Sequence, residues 1–165
     1  MKTLLLMRHA KSSWKHPELS DYERPLNKRG QRDAPRMGKL LLEQGLTPEL
    51  ILSSSAKRAR DTADSVAKAC HYDGEPELFD ILYEESSGSY LKLLRILPNT
   101  YERVLVVGHN PVLESVLLSL TCTFKRMPTA AIAHLELPIQ RWDVLRRKLE
   151  GTVVNLWTPE TLLSD

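Results

Sequence analysis

The sequence predicts an α/β sandwich with a mostly parallel central sheet, and three observations predict it. Short apolar strand patterns alternate with amphipathic helical patterns along the chain. One of the strand patterns, "RVLVVG" (103–108), is β-branched and apolar on both faces, as a central parallel strand should be. The 165 residues, 42% apolar and 27% charged, suffice for one domain with a real core, expected to span residues 1–165.

The elements follow in order. Lys2 to Met7 reads as the first strand. Asn27 to Gly45 reads as a helix, with Asn27 as N-cap, Gly45 just past the end and an apolar stripe of Met37, Leu40 and Leu41. Pro35 inside that span predicts a kink or a late start. "ELILSS" (49–54) is the second strand. Ala59, Ala63, Val66, Ala67 and Cys70 then share one face of a helix over 56–71. Pro76 to Leu82 holds a short extended piece. Tyr90, Leu93, Leu94 and Leu97 repeat at helical spacing, so a helix is expected up to Pro98. After "RVLVVG", Asn110 and Pro111 read as an N-cap and first helical residue, and Leu113, Val116, Leu117 and Leu120 supply the stripe. "AAIAHLEL" (130–137) and "GTVVNLW" (151–157) read as strands, the last as an antiparallel edge candidate. Trp142 to Leu149 is either a short helix or an irregular excursion.

Composition excludes several classes. A formal net charge of +2 with dispersed Lys and Arg gives no nucleic-acid-binding tail. No apolar run reaches the roughly 18 residues of a membrane span, and "MKTLLLMRHA" is too short in its apolar part for a signal peptide. Cys70 and Cys122 match no metal or redox spacing, and both read as reduced core thiols in a cytoplasmic protein. No histidine pair has a metal-ligand spacing such as H-x₃-H, so no metal and no other cofactor is expected.

Parallel α/β sheets bind ligands outside the carboxyl ends of their strands. Here those ends carry chemistry. Arg8-His9 follows the first strand. "SSSAKRARDTA" (53–63) follows the second and puts Arg58 in the first turn of a helix. "GHNP" (108–111) follows the third with His109. Each signal alone is ordinary surface chemistry. If the three strands are neighbours, two histidines and two arginines converge. Guanidinium forks match phosphate oxygens, and the helix starts near 54–56 and 110 add oriented N–H groups. A histidine among such cations can attack phosphorus through one ring nitrogen. His16, His71 and His134 have no such setting and read as structural or exposed.

These residues carry a family resemblance. "LLLMRHA" resembles the Arg-His-Gly signature of the histidine phosphatase (phosphoglycerate mutase-like) superfamily, with Ala10 where glycine usually stands. "SSSAKRARDTA" and "VLVVGHNP" are similar to its second and third motifs. The short chain, "RPLNKRG" and "DAPRM" resemble in particular the SixA-type phosphohistidine phosphatases. The resemblance implies a three-layer α/β/α sandwich. It implies that His9 is the nucleophile and that Arg8, Arg58 and His109 hold the phosphoryl group. Arg24, in "ERPLN", is either a further phosphate or substrate contact or a solvated loop arginine. A general acid is expected in "ILYEESSG" (81–88), where Glu84 is preferred over Glu85. The competing reading of Glu84 is a helix-start carboxylate favoured by the dipole.

The leaving group selects the substrate class. An alkoxide needs a placed acid, whereas an imidazole is easier to expel. The short chain also lacks the large insertions that cap the site in mutases and phytase-like relatives. The expectation is therefore a metal-independent phosphatase that hydrolyses phosphohistidine on a protein, such as a phosphotransfer domain or phosphocarrier, and releases inorganic phosphate. The alternatives are a small-molecule phosphomonoesterase and a non-catalytic phosphate-binding interaction module. The loop 11–26, with Lys11, Trp14, Lys15 and Arg24, forms the rim, though Trp14 could equally pack on the core. Neither a membrane nor a nucleic-acid partner is expected, and a monomer is the default.

Overall fold

The computed structural model describes residues 1–84 and 86–163. Its strands are β1 (Lys2–Arg8), β2 (Leu50–Ser54), β3 (Glu77–Phe79), β4 (Arg103–Gly108), β5 (Ile132–Leu137) and β6 (Thr152–Trp157). Its α-helices are α1 (Lys28–Glu43), α2 (Lys57–Ala69), α3 (Ser87–Arg95), α4 (Val112–Thr121) and α5 (Pro159–Leu163). The strands form one sheet in the order β3-β2-β4-β1-β5-β6. β1 to β4 are mutually parallel, and β5 is antiparallel to both β1 and the edge strand β6.

Both sheet faces are dry, which is why the central strands are continuously apolar. Successive side chains alternate between faces. Leu4, Leu6, Leu52, Val104 and Val106 pack with α3, α4 and Trp142. Leu5, Met7, Ile51, Leu105 and Val107 pack with α1 and α2. The result is three layers, helix on sheet on helix, as predicted. Lys2 is wholly buried at the amino end of β1, and its ammonium donates to the carbonyls of Asn99 and Tyr101 and to Glu102. Three donors meet three acceptors, so its charge is not stranded.

Several expectations are corrected locally. α1 starts at Lys28 and runs through Pro35, with no late start. Asn27 accepts from Gly30 N at 2.9 Å, and Ala34, Met37 and Leu41 bury the helix against the sheet. α3 stops at Arg95, where Ile96 and Leu97 tighten to bonds three residues back instead of continuing to Pro98. Trp142–Val144 is a single 3₁₀ turn. α5 was not anticipated; it docks on α1, with an Arg29–Glu160 ion pair at the contact. Asn110 is not the N-cap of α4. Its carboxamide donates to Met127 O at 2.8 Å, and the helix begins after Pro111. Cys122 is not a core thiol. It ends α4 in the left-handed conformation and is exposed, whereas Cys70 is buried. Trp14 is 74% exposed and does not pack in the core. Among the described residues no helix is long and apolar enough to cross a membrane.

Gly30 ties α1 to the loop that follows β1. A Cβ there would lie 2.1 Å from Lys11 O. Alanine normally gains about 1 kcal/mol over glycine inside a helix. Here a backbone oxygen stands in the way, so Gly30→Ala is expected to lose roughly 1–3 kcal/mol in urea unfolding. A gain in stability would show that the α1–Lys11 contact yields freely.

Candidate active site

The strand register brings the polar residues together. β2, β4 and β1 are consecutive in the sheet. Arg8 pairs with Gly108 and Ser53 with Val107. His9 and His109 therefore leave adjacent strands at the same level, beside Ser54. His9 N donates to Gly108 O at 3.0 Å, and the two imidazole centroids are 5.2 Å apart. The cleft above them, about 510 Å³, is lined by Arg8, His9, Arg24, Arg58, Glu84 and His109, along with Asp21 and Tyr83. All six predicted site residues thus share one cavity, within the usual size range of small-ligand sites. Glu85 lies outside the described residues.

Each imidazole is anchored through a different nitrogen. His9 Nδ1 is 2.7 Å from Ala10 O, an acceptor that requires the proton on Nδ1. Nε2 is then a lone-pair nitrogen, and Arg58 Nε donates to it at 3.4 Å. His109 Nε2 is 2.8 Å from Ser54 Oγ. That hydroxyl already accepts from Ala56 N at 3.2 Å, so its own proton is free for His109 Nε2. With Ser54 as that donor, the proton of His109 sits on Nδ1, which is buried with no partner among the described residues. Arg8 Nε is likewise buried and unpaired among the described residues, while Arg8 Nη1 donates to Met127 O at 3.2 Å.

Burial pushes the His9 imidazole down to about 3, against the Ala10 bond that raises it and with help from His109 and the arginines. Burial, then Arg58, lowers His109 to about 4. Burial also lowers Arg8, opposed by Glu114. Both histidines are therefore neutral at pH 7, between cations.

Arg24 is not a solvated loop arginine. It is 8% exposed, donates through Nη1 to Ser12 Oγ at 3.0 Å, and its guanidinium carbon lies 3.5 Å from the centroid of the Trp14 ring. Two residues that line the cleft, Asp21 and Tyr83, escaped the sequence reading, as did Ser54 beneath it, which was noted only as part of a helix start. Asp21 and Tyr83 carry no motif; Asp21 lies in a polar loop, and two of its partners, Arg58 and Tyr83, come from distant segments. Chemically, the cleft offers one uncharged ring nitrogen with a lone pair, a second imidazole whose Nδ1 has no partner among the described residues, and three guanidiniums. That set is suited to a tetrahedral oxyanion.

Sheet order, strand-end histidines and guanidiniums together define a phosphoryl-handling α/β protein. Residues 4–93 match the histidine phosphatase superfamily (branch 1). A Mycobacterium tuberculosis protein is 31% identical over 141 residues, which cover 78% of this chain and 85% of that one. The chain belongs to the histidine phosphatase superfamily and so is an enzyme of the phosphatase or mutase kind. A chloroplastic Arabidopsis thaliana protein is 46% identical over 65 residues, and the match spans only 30% of its length. The structure of the protein histidine phosphatase SixA complexed with tungstate superposes with a TM-score of 0.83 at 25% identity, covering 97% of this chain and 99% of that one. The SixA-type resemblance seen in the sequence is thereby borne out.

Two measurements follow from this geometry. Ser54→Ala removes the proton donor that fixes His109, and kcat/KM is expected to fall roughly 10- to 100-fold, the usual loss for an outer-shell partner. Unchanged activity would detach Ser54 from the site. The depressed histidines also set a pH dependence of stability. Unfolding raises each from about 3 or 4 to its ordinary value of 6.5, so the unfolded chain binds protons first. Their stabilising share is complete above pH 6.5 and is lost as pH falls towards 4. In urea titrations at pH 7 and pH 5, each histidine is expected to cost about 2 kcal/mol at the lower pH. His9→Asn should remove its share of that slope; an unaltered slope would contradict a neutral, buried His9.

Proposed function

We propose that the protein is a metal-independent phosphatase that removes the phosphoryl group from phosphohistidine on a protein, through a covalent intermediate on His9. The observation that carries the reading is the His9 ring. Its Nδ1 proton is held by Ala10 O, so Nε2 carries the lone pair and faces the guanidiniums, where it accepts only a long 3.4 Å bond from Arg58 Nε that an entering phosphoryl group displaces. The lone pair attacks phosphorus, a new N–P bond forms, and the bond to the substrate imidazole breaks. The leaving imidazole keeps the bonding pair and takes a proton from water. Water then attacks the phosphoryl group on His9, the His9 N–P bond breaks, and inorganic phosphate departs. Arg8, Arg58 and the Nδ1–H of His109 balance charge on the equatorial oxygens, and Arg24 supplies a further cation at the rim. The likeness to SixA, a protein histidine phosphatase whose structure holds the tetrahedral oxyanion tungstate, supports the substrate class. An exposed rim with Trp14 at its edge suits a phosphorylated side chain on another protein.

A second reading, hydrolysis of a small phosphomonoester, is favoured by Glu84, which lines the cleft and could protonate an alkoxide. The third alternative, a non-catalytic binding module, has less support, because the full nucleophile and cation set is in place.

The test supplies a phosphohistidine peptide and an aryl phosphate in the presence of chelator. Turnover of the peptide is expected, with His9→Ala at least 10³-fold slower, in line with the loss of other covalent nucleophiles. Activity surviving in that variant would sink the nucleophile assignment, and strict dependence on added metal would sink the mechanism. Glu84→Gln is expected to leave phosphohistidine turnover intact. Equal loss on both substrates would remove the leaving-group argument.

A further inference from the structure

The cleft already contains an anion of its own. Asp21 stands on the short 3₁₀ turn Asp21–Glu23, within the rim loop. Its Oδ2 accepts from Arg58 Nη2 at 3.1 Å and from the Tyr83 hydroxyl at 2.8 Å. Its Oδ1 accepts from Arg24 Nε at 3.2 Å. Its backbone carbonyl accepts from Arg58 Nη1 at 2.7 Å. One residue thus engages two of the three guanidiniums of the pocket. Burial tends to raise the Asp21 carboxyl, but the bonds from Tyr83, Arg58 and Arg24 outweigh it and hold the group below the usual carboxylate value. It is a carboxylate at neutral pH, in the place where a phosphoryl dianion needs cations.

The same side chain is 50% exposed, whereas that of Arg58 is only 8% exposed. A carboxylate stripped of partners in a dry interior pays a heavy desolvation penalty. A half-exposed one can exchange an arginine for water at little cost. Arg58 is held more firmly, because it also donates to the Asp21 carbonyl and to His9 Nε2. The pair is therefore asymmetric: the cation is fixed and the anion can leave.

We propose that Asp21 is a displaceable counter-anion, a specificity-determining residue that sets how tightly the site holds phosphate. It rests on the phosphate reading given above. An entering phosphoryl group takes donors of Arg58 and Arg24 from the carboxylate, and the carboxylate reclaims them when phosphate leaves. The need for such a device is chemical. The product of hydrolysis is an oxyanion of nearly the same charge and shape as the transferred group. A pocket of uncompensated guanidiniums would retain it, and turnover would stall on release.

The rival role is a brace, in which Asp21 merely holds Arg58 in position. The two roles differ in sign. Loss of a brace weakens oxyanion binding, whereas loss of a competitor strengthens it. Full-length wild type, Asp21→Asn and Asp21→Ala are titrated calorimetrically with tungstate and inorganic phosphate, and kcat and KM are measured on a phosphohistidine peptide. Both variants are expected to bind the two oxyanions roughly tenfold more tightly, the ordinary effect of one nearby charge. KM and kcat should fall together as release slows. If wild type binds the oxyanions and both variants bind them equally or more weakly, the counter-anion role is overturned and the phosphate reading stands. If wild type binds neither oxyanion and turns over nothing, the phosphate reading fails, and this inference fails with it.

Discussion

The parallel ladder between β1 and β4 constrains everything above it. Arg8 pairs with Gly108, and that register, with β2 on the far side of β4, puts His9, His109 and Ser54 at one level. A one-residue slip would turn Leu4 and Leu6 onto the face now lined by Leu5 and Met7. Both faces are packed against helices, so the slip would misfit two cores at once. The core thus pins the chemistry. Tyr90 reinforces it from the α3 side. Its hydroxyl donates to Leu82 O at 2.5 Å and accepts from His109 N at 3.4 Å. A Cβ at Gly108 would lie 2.2 Å from that oxygen, so the glycine of "GHNP" admits the tyrosine.

Within that frame the two imidazoles are used in opposite ways. His9 is anchored through Nδ1 and turns an acceptor nitrogen to the cleft. His109 is anchored through Nε2 and leaves Nδ1, the donor when Ser54 gives its proton to Nε2, without a partner among the described residues. The division depends on two small partners, Ala10 O and Ser54 Oγ. Because the acceptor is a backbone carbonyl, residue 10 contributes through its main chain. Desolvation among cations keeps both rings uncharged at pH 7, which is the form that can donate a lone pair to phosphorus.

The strands and the four motif residues were legible in the sequence, because hydrophobic periodicity and strand-end position are local signals. β4 was identified as central from its two apolar faces alone. Asn110 was misread because an Asn-Pro pair before an apolar stripe looks like a cap, while Met127, which claims the carboxamide, lies 17 residues downstream. Cys122 follows the apolar stripe of α4, but the left-handed turn that ends the helix takes it out to solvent. Tertiary contact also decides Arg24 and Asp21. Their partners at Ser12, Arg58 and Tyr83 come together only when the loop after β1 folds back beside α2.

That difference in legibility follows a difference in task. The groups proposed to meet phosphorus sit on rigid elements at the strand ends, and such positions leave local patterns. Groups that tune charge can sit on loops, since a carboxylate needs only to be within a few ångströms of a guanidinium and free to move. Strand ends carry Arg8, His9 and His109, and the first turn of α2 carries Arg58. The rim carries Asp21, Arg24 and Trp14, which vary the cleft's charge and shape without disturbing the sheet. On the proposed reading, a chain of this fold would change which phosphoryl donor it accepts, and how readily it lets phosphate go, by substitution in the loop between β1 and α1. His9 and Arg8 meanwhile stay where the β-ladder holds them, and Arg58 stays on α2.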